Sequence, residues 1–395
     1  MAGLRRNRDF VLLQTGQLLS TLGGSFTTVA YPLLVLGLTG SPAKAGLVSA
    51  ARTLAAPLLT LPAGLAADRY DRRRIMIAAD AVRAVAIGGL ALLVASHPLF
   101  WPLPLIAFLE GAGETFFSSC SGSALRSIVP PDQLAEAVSV QTGRTAVVGI
   151  AGPPVGGALF GIARAIPFAA DAASYVFSLA SLLLLHTPLQ ERRDREPGRI
   201  RTQLAEGFRF LMSQPFLRVT SFLYGVENFT IPAIVFVLVV TARDHGLTGG
   251  EIGLLLAAFS ACILAGSLAA GAARSRLAPR TVMLLELYLG LGTIAFVLVP
   301  SVWVLAAAIL PQAVALPITD SVVVSRRLRL TPDRLLGRVE AVRATIGRGL
   351  APAGPLVAGL LLSSVSSRAT VAVFAAMAVA LVCWGTASPA LREDG

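Results

Sequence analysis

Twelve stretches of mostly apolar residues, each long enough to cross a bilayer, leave this chain few ways to fold. They lie at roughly 10–38, 45–67, 73–96, 99–122, 136–160, 167–186, 216–241, 251–273, 280–300, 302–324, 339–363 and 368–387. A helix needs about 20 such residues to cross about 30 Å of hydrocarbon. With 55% hydrophobic and 14% charged residues over a length of 395, and a mean hydropathy of +0.73, the chain has more apolar surface than one water-soluble core can bury. The expectation is an all-α, polytopic membrane protein.

The net charge of +11 does not point to nucleic acid, because the arginines gather in alternate loops instead of covering one face. Arg5, Arg6 and Arg8 precede the first stretch, Arg69 to Arg74 follow the second, Arg126 the fourth, and Arg192 to Arg201 fill the centre. Arg274, Arg276 and Arg280 come after the eighth, and Arg326 to Arg338 after the tenth. The intervening loops hold little beyond Lys44, Arg164, Arg243 and Arg368. Positive loops stay in the cytosol, so both termini are expected there, in agreement with an even span count. The basic start and apolar run resemble a signal peptide, but further spans follow and an uncleaved first helix is expected.

Cys120, Cys262 and Cys383 stand alone in apolar segments and read as packing residues, and His97, His186 and His245 are scattered. Neither a disulfide framework nor a metal site is expected. Lys44 is the only lysine, and no phosphate-binding loop can be built around it. No cofactor is expected.

The polar stretch Thr187 to Gln203 divides the chain into six spans on each side, giving 1–186 as a first bundle, 187–215 as a cytosolic linker and 216–395 as a second bundle. Leu204, Phe208, Leu211 and Met212 recur at helical spacing, as in an amphipathic helix at the inner membrane surface or a plain lead-in to the seventh span. The halves also repeat. Leu-Arg126-Ser-Ile-Val-Pro-Pro131-Asp132-Gln-Leu134 returns as Arg-Arg327-Leu-Arg-Leu-Thr-Pro332-Asp333-Arg-Leu335, and Gly152-Pro153 returns as Gly354-Pro355. In each copy a Pro-Asp pair opens a helix, where proline's missing amide hydrogen is not needed and the acid favours the positive helix end.

Gly64-Leu-Ala-Ala-Asp68-Arg69-Tyr-Asp71-Arg72-Arg73-Arg74 ends the second apolar stretch abruptly in acids and arginines. With the repeat, this loop resembles the one joining helices 2 and 3 of major facilitator superfamily transporters. The acid Asp71 where glycine is usual, Glu206-Gly207-Phe208-Arg209-Phe210-Leu211 and Asp171-Ala-Ala-Ser174 resemble the branch with macrolide-efflux proteins and the enterobactin exporter. Gly152-Pro153-Pro-Val-Gly156-Gly157 is similar to the helix 5 motif of antiporters. The resemblance implies twelve transmembrane helices in two pseudo-symmetric six-helix bundles, with a substrate path near the midplane. It also implies a plasma-membrane exporter, expected as a monomer, that exchanges protons for a small-molecule substrate. Two departures matter: span 4 lacks the arginine of many drug antiporters, and Gly23-Gly24 stand where some relatives carry an aspartate.

By that resemblance Asp68 meets the start of helix 11 near Arg338 to Glu340, and Gly64, Asp68, Arg69, Arg72 and Arg73 form a cytosolic gate. Arginines of that loop are equally explained as topology anchors. Gly149, Gly152, Gly156 and Gly157 allow another helix close, while Pro153 removes a backbone bond, so span 5 has a packing seam or hinge. Ionisable groups inside the bilayer each cost several kcal/mol unless paired or hydrated. Glu110 and Glu114 share a helix face, which favours a bound proton on one of them, or else Glu114 pairs with Arg144 or Arg83. Asp80 and Arg83 are spaced for an internal pair, and Arg52 lies too deep to reach water and needs a partner. Glu227, beside Asn228, is a candidate substrate or proton contact, whereas Asp171 and Glu286 are weaker candidates, Glu286 being read as facing packing. An enzyme is not expected, because no nucleophile, base and orienting group can be assembled. A dedicated siderophore exporter, an uptake permease and a non-transporting membrane sensor remain as alternatives.

Overall fold

The computed structural model describes residues 2–189 and 200–391, and every element in them is helical. The chain packs as two compact units, Met1–Asp194 with Gly246–Ala257 and Arg195–His245 with Ala258–Gly395. The central arginines at 192, 193, 195 and 199 lie outside the described residues.

The first unit holds α1 (Ala2–Arg6), α2 (Arg8–Thr39), α3 (Pro42–Arg69), α4 (Arg72–Ser96), α5 (Leu103–Ile128), α6 (Leu134–Ile162) and α7 (Ile166–Leu183). Local chemistry sets the ends of these helices. The Asn7 side chain accepts from the Phe10 amide to cap α2. Gly40, at φ 63, adopts the left-handed backbone that closes α2, and Ser41 then caps α3. Asp71 accepts from the Arg73 and Arg74 amides at 2.8 and 3.4 Å to start α4. The Pro131-Asp132 pair begins a short 3-10 turn leading into α6. Asp9 accepts from the Thr187 amide at 2.7 Å and the His186 amide at 3.1 Å, which ties the start of the linker to the start of α2. A buried apolar cluster, with Phe10, Met76, Phe117, Ile128 and Leu182 among its members, fills one end of this unit.

The second unit holds α8 (Ile200–Ser213), α9 (Pro215–Asp244), most of α10 (Gly249–Arg276), α11 (Pro279–Gly290), α12 (Thr293–Leu298), α13 (Val302–Leu330), α14 (Asp333–Leu350), α15 (Ala353–Ser364) and α16 (Ser367–Ala387). Thr248 and Glu251 form a reciprocal cap at the start of α10: Glu251 accepts from the Thr248 amide at 2.7 Å, and its own amide donates to the Thr248 hydroxyl at 3.3 Å. The proposed surface helix α8 packs on α14 and α9. Leu211 is fully buried, Glu206 pairs with Arg334 and Arg338 of α14, and Phe208 stays exposed. The Leu204 side chain lies outside the described residues.

Among the described residues, eleven helices or helix pairs are long and apolar enough to cross a membrane. The fourth expected stretch forms the 26-residue α5, which is not among them. Glu110, Glu114 and a run of glycine, serine and threonine lower its hydropathy. Two expected spans are interrupted. Residues 280–300 split into α11 and α12 around Leu291-Gly292, and residues 339–363 split into α14 and α15 at Ala351-Pro352, where proline has no amide hydrogen to continue the ladder.

Candidate functional site

In the first unit, three helices carry arginines and acids inward, and close helix approach brings them together. A side chain at Gly111 of α5 would collide with the Arg52 carbonyl of α3, and one at Gly113 would come within 2.5 Å of the Arg83 side chain of α4. These small residues let α5 lie against both neighbours, so Glu110 and Glu114 beside them point to different partners. Arg52 donates to Glu110 Oε1 through Nη2 at 2.8 Å and Nε at 3.0 Å. Thr27 of α2 also donates to that oxygen, at 3.3 Å. Arg52 thus has the partner its depth requires.

Arg83 is 2% exposed and bridges two acids, Asp80 Oδ1 at 3.3 Å and Glu114 Oε2 at 2.7 Å, beneath the Tyr175 ring with 4.0 Å from guanidinium to centroid. The Asp80–Arg83 pairing expected from spacing is present, and of the two partners weighed for Glu114 it is Arg83. Arg144 instead donates to Gln14 and Gln17 of α2, at 2.9 and 2.5 Å. The network is loosely satisfied: Asp80 Oδ2, Glu110 Oε2 and Arg83 Nε are buried without a close hydrogen bond, with the Ser178 hydroxyl near Asp80 and the Tyr31 hydroxyl near Glu110. Polar atoms left in this way are costly, and each stands ready to take a proton or a new partner.

Asp171 of α7, a weaker candidate from its sequence position, lies inside the first unit. It is fully buried, its Oδ2 has no partner, and its Oδ1 would lie 2.5 Å from a side chain placed on Gly23. A carboxylate therefore stands beside Gly23 after all, supplied from α7. The available signal was its place in an otherwise apolar helix one turn before Ser174, whose hydroxyl donates to it at 3.3 Å.

The helix 5 glycines form a seam. A side chain on Gly152 would strike Ser25, and one on Gly156 would lie 2.5 Å from Phe26 Cα, both on α2. Gly157 faces the Gly249 carbonyl, in the stretch of α10 that packs with the first unit. Gly149 is half-buried, and Pro153 is buried within a continuous α6.

At the 64–74 loop, Asp68 and Arg69 are exposed at the end of α3, and a side chain on Gly64 would meet nothing within 4 Å. Arg72 is buried and donates to the carbonyls of Ala67 and Leu189 at 3.3 and 3.2 Å. Arg73 donates to the Leu182 and Leu183 carbonyls at 2.9 and 2.6 Å. Both arginines therefore hold the C-terminal end of α7 and the chain that leaves it, where the helix dipole favours a cation.

In the second unit Glu227 of α9 lines a cavity of about 390 Å³ together with Glu286 of α11, Asp320 of α13 and Arg343 of α14. Glu286, read from sequence as facing packing, is almost fully buried and also lines this cavity. Asp320 went unnoticed because a single acid between Thr319 and Ser321 near the end of a long apolar run reads as an interfacial residue. Arg343 is bound to Glu340 at 3.0 Å and lies 4.2 Å from the Tyr224 ring centroid, and Arg327 reaches the same carboxylate at 2.9 Å.

The sequence model of the family described as "Transmembrane secretion effector" matches residues 1–393. The multidrug efflux pump Tap of Mycobacterium tuberculosis is 27% identical over 416 residues, covering 100% of this chain and 96% of the relative. The enterobactin exporter EntS of Escherichia coli is 27% identical over 326 residues, covering 80% and 76%. Among solved structures, the nucleoside transporter NupG superposes with a TM-score of 0.76 at 14% identity, over 98% of this chain and 100% of that one. A bacterial homologue of the iron transporter ferroportin superposes with a TM-score of 0.72 at 18% identity, over 97% and 98%.

Proposed function

Because the chain belongs to the transmembrane secretion effector family of the major facilitator superfamily, and so is a multi-pass plasma-membrane transporter and not an enzyme, we propose that it is a secondary exporter of an amphipathic small molecule. It works by proton antiport with alternating access, through twelve spans with α5 as the fourth and both termini in the cytosol. The names of its relatives, a multidrug efflux pump and an enterobactin exporter, support outward transport of such compounds.

The observation that carries this reading is the half-satisfied ion network of the first unit. Glu110 and Asp80 each hold an arginine with one oxygen and leave the other buried without a close hydrogen bond. A carboxylate in that state changes its balance of charge when it takes a proton, and the released arginine then needs another partner. Protonation at Glu110 or Glu114 therefore shifts the pairing of Arg52 and Arg83, and a two-state equilibrium needs only a few kcal/mol of such bias. In this reading Arg144, Asp80 and Asp171 complete the relay. Gly64, Asp68, Arg69, Arg72 and Arg73 form the cytosolic gate, and the seam of Gly149, Gly152, Pro153, Gly156 and Gly157 is where α6 bears on its neighbours as the gate moves.

The second reading, a dedicated siderophore exporter, is favoured by the likeness to the enterobactin exporter. Uptake into inverted vesicles of a drug panel and of a catecholate siderophore separates the two. Accumulation of several unrelated drugs supports the main reading, and accumulation of the siderophore alone supports the second. Substrate-induced proton release that is unchanged in Glu114→Gln removes that residue from coupling, and unaltered transport in Asp68→Asn removes the gate role.

A further inference from the structure

A larger cavity of the second unit, about 870 Å³, lies between α9 and α16. Arg218, Phe222 and Val226 recur along one face of α9, and Met377, Leu381 and Trp384 along one face of α16, so the cavity is a groove running lengthwise between two helices. From Pro215 to Val226 it follows α9 for about 16 Å at about 1.5 Å per residue. Half of a hydrocarbon core of about 30 Å is nearly as deep. The Phe222 and Trp384 rings, 54% and 39% exposed, meet edge to face in its wall with centroids 5.2 Å apart. Charge enters at one end only. Arg218, exposed in the first turn of α9, lines the groove together with no acid. Among the described residues it makes no ion pair, and it donates to the Met212 carbonyl at a long 3.4 Å. Arg334 and Arg338 of the same unit, by contrast, share Glu206.

We propose that this groove binds an anionic phospholipid, with its phosphodiester on Arg218, its glycerol level beside Trp384 and an acyl chain along the apolar wall toward Val226 and Met377. Charge complementarity selects the headgroup. The forked donors of a guanidinium match phosphate oxygens, whereas the ammonium of a zwitterionic lipid finds no acid in the groove. Basic pockets between transmembrane helices take phospholipid headgroups in this way. Depth selects the body. A soluble anion would leave the apolar wall empty, while a lipid covers arginine and wall together, and the indole sits at the interfacial level that tryptophan favours. Arg218 also reaches Met212 where α8 gives way to α9, so a headgroup bound there pins that junction. Placement in the inner leaflet rests on the orientation proposed above, but binding does not. Outward labelling of Lys44 tests the orientation separately, and its failure would move the site to the other leaflet without removing it.

The test reads lipid at Trp384 by fluorescence quenching. The chain has three tryptophans, and Trp101→Phe with Trp303→Phe, at positions 82% and 64% exposed, leaves Trp384 alone. This full-length parent is reconstituted into phosphatidylcholine vesicles in which a rising fraction is replaced by brominated phosphatidylglycerol or by brominated phosphatidylcholine. Phosphatidylglycerol is expected to quench with about fivefold higher apparent affinity, the preference that one basic residue gives at an anionic surface. Arg218→Gln brings the two lipids to equality, and Arg218→Lys keeps most of the preference. Ala380→Phe, at an exposed position of the groove, fills it without touching the charge and lowers the preference too. If Arg218→Gln does not fold, Arg218→Lys and Ala380→Phe carry the test. Equal quenching by the two lipids in the parent, or an undiminished preference in Arg218→Gln or Ala380→Phe, overturns the site. Relief of quenching by excess glycerol phosphate overturns it in favour of a soluble anion. Shielding of Trp384 from both lipids in a cross-linked dimer overturns it in favour of a second copy of the chain.

Discussion

An arginine inside an apolar bundle is tolerated only with its counter-charge in place, and Arg52 and Glu110 show how asymmetric that dependence is. Glu110 is fully buried and takes two bonds from Arg52, whose side chain is 27% exposed, so removing the carboxylate's charge leaves a partly desolvated guanidinium without its counter-charge. Glu110→Gln is expected to destabilise the protein by about 1–3 kcal/mol, while Arg52→Gln combined with Glu110→Gln recovers part of the loss, as uncharged groups are cheaper to bury than one unpaired charge. Thermal unfolding of the purified variants in detergent reads this directly, and a double variant as unstable as Glu110→Gln would argue against an ion pair there. How much was legible differs by spacing. Asp80 and Arg83, three apart on one helix, could be paired from sequence, and the need of Arg52 for a partner followed from its depth. Its identity did not, because the pair is 58 residues apart and depends on α5 approaching α3 at Gly111. Asp320 went unremarked and Glu286 was ranked low for a related reason: a lone acid in an apolar run says that it is expensive, not which cavity it lines.

At the scale of helices, apolar length and caps made most elements readable, and the interruptions were less so. Pro352 signals its own break, whereas the break at Leu291-Gly292 coincides with a close approach of α13, where a side chain on Gly292 would lie 3.0 Å from the Ala308 carbonyl. Tertiary packing of that kind leaves no local mark. The seam between α6 and α2 gives an elemental prediction. Gly156→Leu forces bulk into the Phe26 backbone and is expected to abolish folded protein in the membrane, because neither helix backbone can yield by that much. Gly64→Ala is the counterpart: open space surrounds the position, so stability is kept or raised by up to about 1 kcal/mol through helix propensity. Expression and thermal stability of the two variants check both statements. A well-folded Gly156→Leu protein would refute the close seam, and any transport loss in a stable Gly64→Ala protein would locate its role in motion.

For the whole molecule, alternation of arginine-rich and arginine-poor loops is expected to orient the chain in the membrane with the arginine-rich loops in the cytosol. Lys44, exposed in the first turn of α3, is the only lysine and borders an arginine-poor loop. A membrane-impermeant amine reagent is therefore expected to label Lys44 in intact cells, and labelling seen only after permeabilisation would invert the topology. The central claim, export driven by protons, is tested most directly in inverted vesicles whose lumen is acidified without ATP. The account predicts that an amphipathic substrate accumulates in the lumen, that protons leave as it enters, and that dissipating the pH gradient with nigericin in potassium buffer stops both. Accumulation that persists without the gradient, or substrate entry with no proton movement, would contradict it.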